Sequence, residues 1–236
     1  LQALDQPMDK FLDYGLWLTM NDLAEPFVRG MQNGALNFKG KTRHAEFALS
    51  SLLPSQSGAL ISQLVRQRPL PADGAGPMIE LVGAAGGPGE LAIIFKQLQE
   101  GGFEQSAQAR VLAALARAAN VRNVRPNGNL AGAREFLKTD DDATRNFAVQ
   151  LAGAWKRSDL VDPLLVFAAE GSGVAFESLV QIRGPKVIAG LKALSAADKP
   201  AGTRQAAARA LGRMNLQGAL IEIFDVLRDR KDDNAA

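Results

Sequence analysis

The chain has 236 residues, 47% hydrophobic and 22% charged, which is ordinary for a folded protein. It has no Cys and one His, His44, which excludes disulfides, thiolate nucleophiles, iron–sulfur ligation, Cys-zinc sites and a His-rich metal centre. The net charge of +2 is no nucleic-acid footprint, and no stretch approaches ~18 continuous apolar residues. Neither membrane insertion nor a nucleic-acid partner is therefore expected.

Aromatics are only 6% of the chain, Ala and Leu are abundant, and no segment alternates with period two. Ala and Leu lose little side-chain entropy in a helix, so the fold class is all-α.

In chain order, a first hairpin is expected from about Asp9 to Gly34, its second helix over 21–33. A first helix at 42–52 (TRHAEFALSSL) then pairs with a second at 56–68 after the break at Pro54-Ser55. The Pro/Gly/Ala turn 69–76 leads to helices at 76–84 and 88–100, split at Gly86-Gly87-Pro88. Residues 108–118 (QARVLAALARA) form the next first helix. A polar loop over 119–129 precedes a second helix at 129–138. The pattern continues with 143–154, 159–169, 173–182, 184–195, 202–213 and 216–228, punctuated at Asp162-Pro163, Gly184-Pro185 and Asn215. The charged tail, 229–236, is expected to fray.

The stretches 108–118, 143–154 and 202–213 share a template of Arg near the helix start, then small and apolar residues at i, i+3, i+4 and i+7. Residues 42–52 fit it too. The arginines Arg43, Arg110, Arg145 and Arg204 recur at multiples of roughly 30–35 residues, a period that marks helical-hairpin repeats. The expected architecture is an α/α superhelix (solenoid) of about seven HEAT-like helical hairpins forming a single domain over 1–236. A lone hairpin cannot bury its apolar face, whereas a stack of hairpins buries a continuous core.

Solenoids bind through the surface of their second helices. The candidate binding residues there are Arg29, Gln63, Arg66, Lys96, Gln99, Arg134, Lys138, Lys186, Lys192 and Glu222. The alternative is a merely solvated face. The recurring arginines read as solvated or inter-repeat ion pairs, with Asp140, Asp141 or Asp142 as partners for Arg145. His44 reads as a surface or cap residue. The run from Gly83 to Gly89 reads as a flexible turn, because no strand precedes it and no P-loop Lys-Ser/Thr follows.

Trp155 and Asp159 carry a second hypothesis. In one class of HEAT-like DNA glycosylases a Trp and an Asp in a concave cleft help expel damaged bases. The plainer reading is a Trp packed at a helix end and an Asp capping the next helix. A third hypothesis is a chromophore handler similar to the phycobilin lyases, which share the repeat type.

Residues 11–34 (FLDYGLWLTMNDLAEPFVRGMQNG), the His44, Phe47, Ala48, Leu49 pattern and residues 86–98 (GGPGELAIIFKQL) resemble the HEAT-like segment of multidomain membrane-bound dehydrogenases with c-type haem domains. These proteins occur in planctomycetes and verrucomicrobia. Phe27 stands where that family often has Trp. The resemblance implies an exported, periplasmic parent with an upstream propeller domain and a downstream haem domain. The chain itself has neither propeller nor CxxCH site. Its expected role is then a non-catalytic, monomeric scaffold without cofactor, whose partners are proteins or neighbouring domains of the same chain. It opens on Leu1 rather than Met, as a mature product or an excised segment would.

Overall fold

The computed structural model describes residues 2–36, 41–67 and 69–214, and among them there are only helices. The first is a 3-10 turn, Gln2–Asp5. Helix α1 (Lys10–Asp22) begins where the Asp9 carboxylate accepts from the Phe11 and Leu12 amides at 2.9 and 2.8 Å. It ends where Pro26, lacking an N–H, cannot bond back to Asp22. A single residue, Leu23, separates it from α2 (Ala24–Gln32). The second helix of this hairpin is thus shorter than the expected 21–33.

Helices α3 (Thr42–Ser51), α4 (Pro54–Gln67), α5 (Met78–Ala85), α6 (Pro88–Gln99) and α7 (Gln105–Arg122) follow. A 3-10 stretch, Ala131–Lys138, stands where an α-helix over 129–138 was expected. Then come α8 (Asp142–Ala154), a 3-10 turn Ser158–Leu160, α9 (Val161–Ala169), α10 (Gly173–Ile182), α11 (Pro185–Leu194) and α12 (Ala201–Arg213). Pro88 and Pro185 open their helices, where a missing N–H costs nothing. Pro163 does not break the chain. It sits in the first turn of α9, where amides have no intrahelical partner anyway. The expected helix 216–228, the break at Asn215 and the tail lie outside the described residues.

The chain divides into two units, Leu1–Leu130 and Ala131–Ala236. The expected loop 119–129 is shorter, since α7 runs on to Arg122, and the boundary falls at the end of the remaining loop, 123–130. In the first unit α1 packs on α3, α3 on α5 and α5 on α7, while α2 packs on α4 and α4 on α6. In the second unit the 131–138 stretch packs on α8, α8 on α10 and α10 on α12, while α9 packs on α11. Alternate helices thus pack in two series within each unit, and the 131–138 stretch, expected as a second helix, packs on α8 of the other series.

Small residues set the helix spacing. A Cβ on Gly83 of α5 would lie 2.8 Å from the Ala114 Cβ and 2.9 Å from its carbonyl on α7. A Cβ on Gly153 of α8 would lie 2.6 Å from the Ser178 Cα on α10. This corrects the reading of 83–89 as a flexible turn. Residues 83–85 belong to α5, and Gly83 is where α7 comes closest. The core also holds fully buried Leu112, Leu115, Leu151, Leu160 and Leu191. Aliphatic burial of this kind contributes roughly 1.5–3 kcal/mol per side chain.

Candidate functional site

The described binding candidates all fall on the second helix of a hairpin. Arg29 lies on α2, Gln63 and Arg66 on α4, and Lys96 and Gln99 on α6. Arg134 and Lys138 lie on the 131–138 stretch, and Lys186 and Lys192 on α11. All are exposed except Lys192, which is half-buried. Glu222 lies outside the described residues.

Most of the cations are already engaged. Arg29 pairs with Glu25, Lys96 with Glu100 and Lys138 with Glu135, each within its own helix. Exposed pairs of this kind are worth little, ~0–1 kcal/mol. Three others reach across. Arg66 on α4 donates to the buried Glu90 of α6 at 2.9 Å. Lys186 on α11 donates to Asp162 of α9 at 2.6 Å. Arg134 points at the Asp159 carbonyl at 3.5 Å. In each case a cation on one second-helix element meets an acceptor on the next. These guanidinium and ammonium groups therefore tie neighbouring helices together, and Gln63 and Gln99 remain exposed.

Glu90 is the centre of the first of these links. It is 4% exposed and accepts from the Gly87 amide at 2.9 Å, which closes the N-terminus of α6. Burial alone would raise its carboxyl. Hydrogen bonds from Arg66, Ser62 and the Gly87 backbone outweigh that and hold it below the usual carboxylate range.

The first helices carry a parallel set of links. Arg110 of α7 grips Glu80 of α5 through two nitrogens, both at 2.8 Å, and also donates to the Gly74 and Gly76 carbonyls at 2.7 and 2.9 Å. The Glu80 carboxyl would be raised by burial, but Arg110 and its own backbone lower it on balance. Arg122, at the end of α7, donates to the Gly83 and Gly86 carbonyls at 2.8 Å each, capping α5 with a cation. Burial pulls this guanidinium down from its ordinary value. In the second unit Arg213 of α12 pairs with Glu177 of α10, and the Ser178 hydroxyl donates to the Val149 carbonyl of α8 at 2.8 Å.

The arginines that share the sequence template do not share a role. Arg110 is inter-repeat. Arg145 stays local, on Asp142 and on the Thr139 carbonyl at 2.8 Å. Arg204 is buried in α12. The Arg43 side chain lies outside the described residues.

Two readings need correction. His44 is not a surface residue. It is 5% exposed, and its Nε2 lies 2.8 Å from the Asp5 carboxylate, tying the Gln2–Asp5 turn to α3. Lys41 stands 3.6 Å from the same carboxylate. The hydrogen bond from His44 lowers the Asp5 carboxyl. Asp159 does not cap α9, since the position before that helix is Leu160 and makes no side-chain cap. Its carboxylate is instead held by Arg157 at 2.7 and 2.6 Å, which lowers it.

Trp155 is 2% exposed at the end of α8, as the packing alternative had it. The Trp155 ring is therefore not a solvent-facing wedge. Among the described residues no group of three His, Asp or Glu side chains is placed to hold a metal ion. No described helix is long and apolar enough to cross a membrane.

No family model, no curated protein and no solved structure matches this chain. The ion-pair links and the second-helix surface therefore carry the functional argument by themselves.

Proposed function

We propose that the chain is a non-catalytic helical-repeat scaffold, built of HEAT-like hairpins stacked as an α/α solenoid within each unit. Its second-helix surface spaces or binds protein domains. One observation carries this reading. Successive helices of the same kind are tied by cation–acid links one repeat apart, Arg66–Glu90 and Lys186–Asp162 on second helices and Arg110–Glu80 on first helices. Such links favour a fixed spacing between repeats, which is what a spacer or a docking surface needs. A reaction cleft would need uncommitted acids and bases instead, and the charged side chains of these helices are mostly spent on each other.

In this reading the parent is an exported redox protein, and any electron transfer belongs to its flanking domains. The test is the reading frame around the segment. A propeller domain upstream and a CxxCH motif downstream are the expected result. A frame carrying no neighbouring domain would overturn the spacer role. Duplex DNA binding at two salt concentrations provides the second measurement. No binding at low salt is expected, whereas strong binding that weakens steeply with salt, or release of alkylated bases, would replace the scaffold by a nucleic-acid function.

A further inference from the structure

Three pairs in the chain place a carbonyl-bearing side chain directly before a glycine: Asn33-Gly34, Asp73-Gly74 and Asn127-Gly128. In such a pair the glycine nitrogen can reach the side-chain carbonyl, because no Cβ stands in the way. The fold treats the three differently. Asn33 follows α2 with ψ 1°, so the Gly34 nitrogen is eclipsed with the Asn33 nitrogen. Closing a five-membered ring needs it eclipsed with Cβ instead. The Gly34 amide also donates to the Met31 carbonyl at 3.3 Å, and the Asn33 Oδ1 accepts from the Ala35 amide at 3.0 Å. Asp73-Gly74 is held in the same way. The Gly74 amide donates to the Pro71 carbonyl at 3.0 Å, the Asp73 Oδ1 accepts from the Ala75 amide at 2.9 Å, and Arg110 holds the Gly74 carbonyl at 2.7 Å.

Asn127-Gly128 carries none of these restraints. It lies in the loop 123–130, both residues are exposed, and a Cβ on Gly128 would meet nothing within 4 Å. The Asn127 amide donates to the Pro88 carbonyl at 3.1 Å, which anchors the residue to the start of α6. Among the described residues, neither the Asn127 carboxamide nor the Gly128 N–H has a hydrogen-bond partner within the protein. We propose that Asn127 is a site of spontaneous covalent modification, an imide-forming deamidation that the fold permits here and suppresses at Asn33.

The chemistry needs only water and hydroxide. The Gly128 nitrogen gives its proton to hydroxide and bonds to the Asn127 Cγ. The Cγ–Nδ2 bond breaks, and Nδ2 takes a proton from solvent and leaves as ammonia. Water then opens the cyclic imide at either carbonyl, leaving an aspartyl or an isoaspartyl residue at 127. Either product puts a carboxylate two residues from Arg125, in a stretch, 119–130, that holds two arginines and no acid. The isoaspartyl product also lengthens the main chain by one methylene shortly before Leu130, where the first unit ends. Restraint sets the ratio of rates. At Asn33 two hydrogen bonds must break before the ring closes, and their net worth corresponds to about tenfold or more in rate.

Ageing the full chain in mildly alkaline buffer, with peptide mass spectrometry at intervals, is the test. The peptide holding Asn127 should exchange its amide for an acid about tenfold faster than the peptide holding Asn33. Both aspartyl and isoaspartyl products should appear at 127, and the rate should rise with hydroxide concentration. In urea the two peptides should react at similar rates, because the restraints on Asn33 are then gone. Asn127→Gln should suppress the acidic species seen by ion exchange, since a glutamine would have to close a larger ring, and Asn33→Gln should leave them unchanged. Equal rates for Asn33 and Asn127 in the folded chain would overturn the proposal. So would an Asn127 peptide that stays intact while the chain in urea reacts, or a ratio that persists undiminished in urea, which would assign the difference to sequence rather than to fold.

Discussion

Gly153→Ala isolates what the close approach of α8 and α10 contributes. The new methyl would sit 2.6 Å from the Ser178 Cα and 2.8 Å from its Cβ and Oγ. The first of these is backbone, so no rotamer change relieves it. The two helices must part by several tenths of an ångström at the point where both are buried. Overpacking of this kind costs about 1–3 kcal/mol. Parting also stretches the buried Ser178–Val149 hydrogen bond, worth ~1 kcal/mol. Alanine returns up to ~1 kcal/mol of helix propensity. The net expectation is a loss of ~1–3 kcal/mol in urea denaturation of the full chain. Gly15→Ala is the control. Gly15 lies mid-α1, and a methyl added there would meet nothing within 4 Å, so the propensity gain should appear undiminished as a stabilisation of ~0.5–1 kcal/mol. If G153A were as stable as the parent, close approach would not be what the glycine supplies.

Acid should weaken the fold through carboxylates held in ion pairs. The carboxyls of Glu80, Glu90 and Asp159 are all held below their ordinary range. A carboxylate depressed on folding stabilises the native state fully above its unfolded pKa, and that contribution is lost as pH falls through the folded value. Denaturation midpoints should therefore hold steady above about pH 5 and decline below it. Glu90→Gln should cost ~1–2 kcal/mol at pH 7 and flatten the decline, and an unchanged acid limb would remove Glu90 from the account. Lys156 follows α8 with φ 53°, in the left-handed region, while the Lys156 and Arg157 amides bond back to the Gly153 and Ala152 carbonyls at 2.9 Å each. Lys156→Gly should raise stability by ~0.5–1 kcal/mol, read as a higher melting temperature. A lower one would mean that the Lys156 side chain does more than tolerate the turn.

Much of the helix order was legible in the sequence because it rests on local rules. Apolar positions at i, i+3, i+4 and i+7 and prolines at helix starts are short-range signals. The expected helices 42–52, 88–100, 143–154, 173–182 and 184–195 each meet an observed helix within two residues at either end. Other bounds shifted further: α2 begins at Ala24 rather than 21, α7 spans Gln105–Arg122 rather than 108–118, and 131–138 is 3-10 rather than α. The apolar spacing of 131–138 suits either helix type, and this stretch packs on α8.

The links between repeats left a fainter trace. Arg110 and Glu80 stand 30 residues apart, Arg213 and Glu177 36, Arg66 and Glu90 24, and Lys186 and Asp162 24. The recurring Arg template allowed for such pairs, and Arg110–Glu80 is one, but it named no partner for Arg110 and did not extend to Arg66 or Lys186. A template position records where a residue sits on its own helix. It does not record which neighbour lies across from it, and so Arg110, Arg145 and Arg204 diverge.

The sequence by itself determined the helical class and most helix ends, because these depend on contacts within a few residues. Only the tertiary structure decided that His44 is buried against Asp5, that Trp155 belongs to the core, and that Gly83 and Gly153 are points of helix contact. It also decided that Arg66 and Lys186 bind their own fold, and that Phe11, Tyr14 and Leu18 face water. Each of these depends on what a distant stretch of chain places opposite the residue, and local spacing does not carry that information.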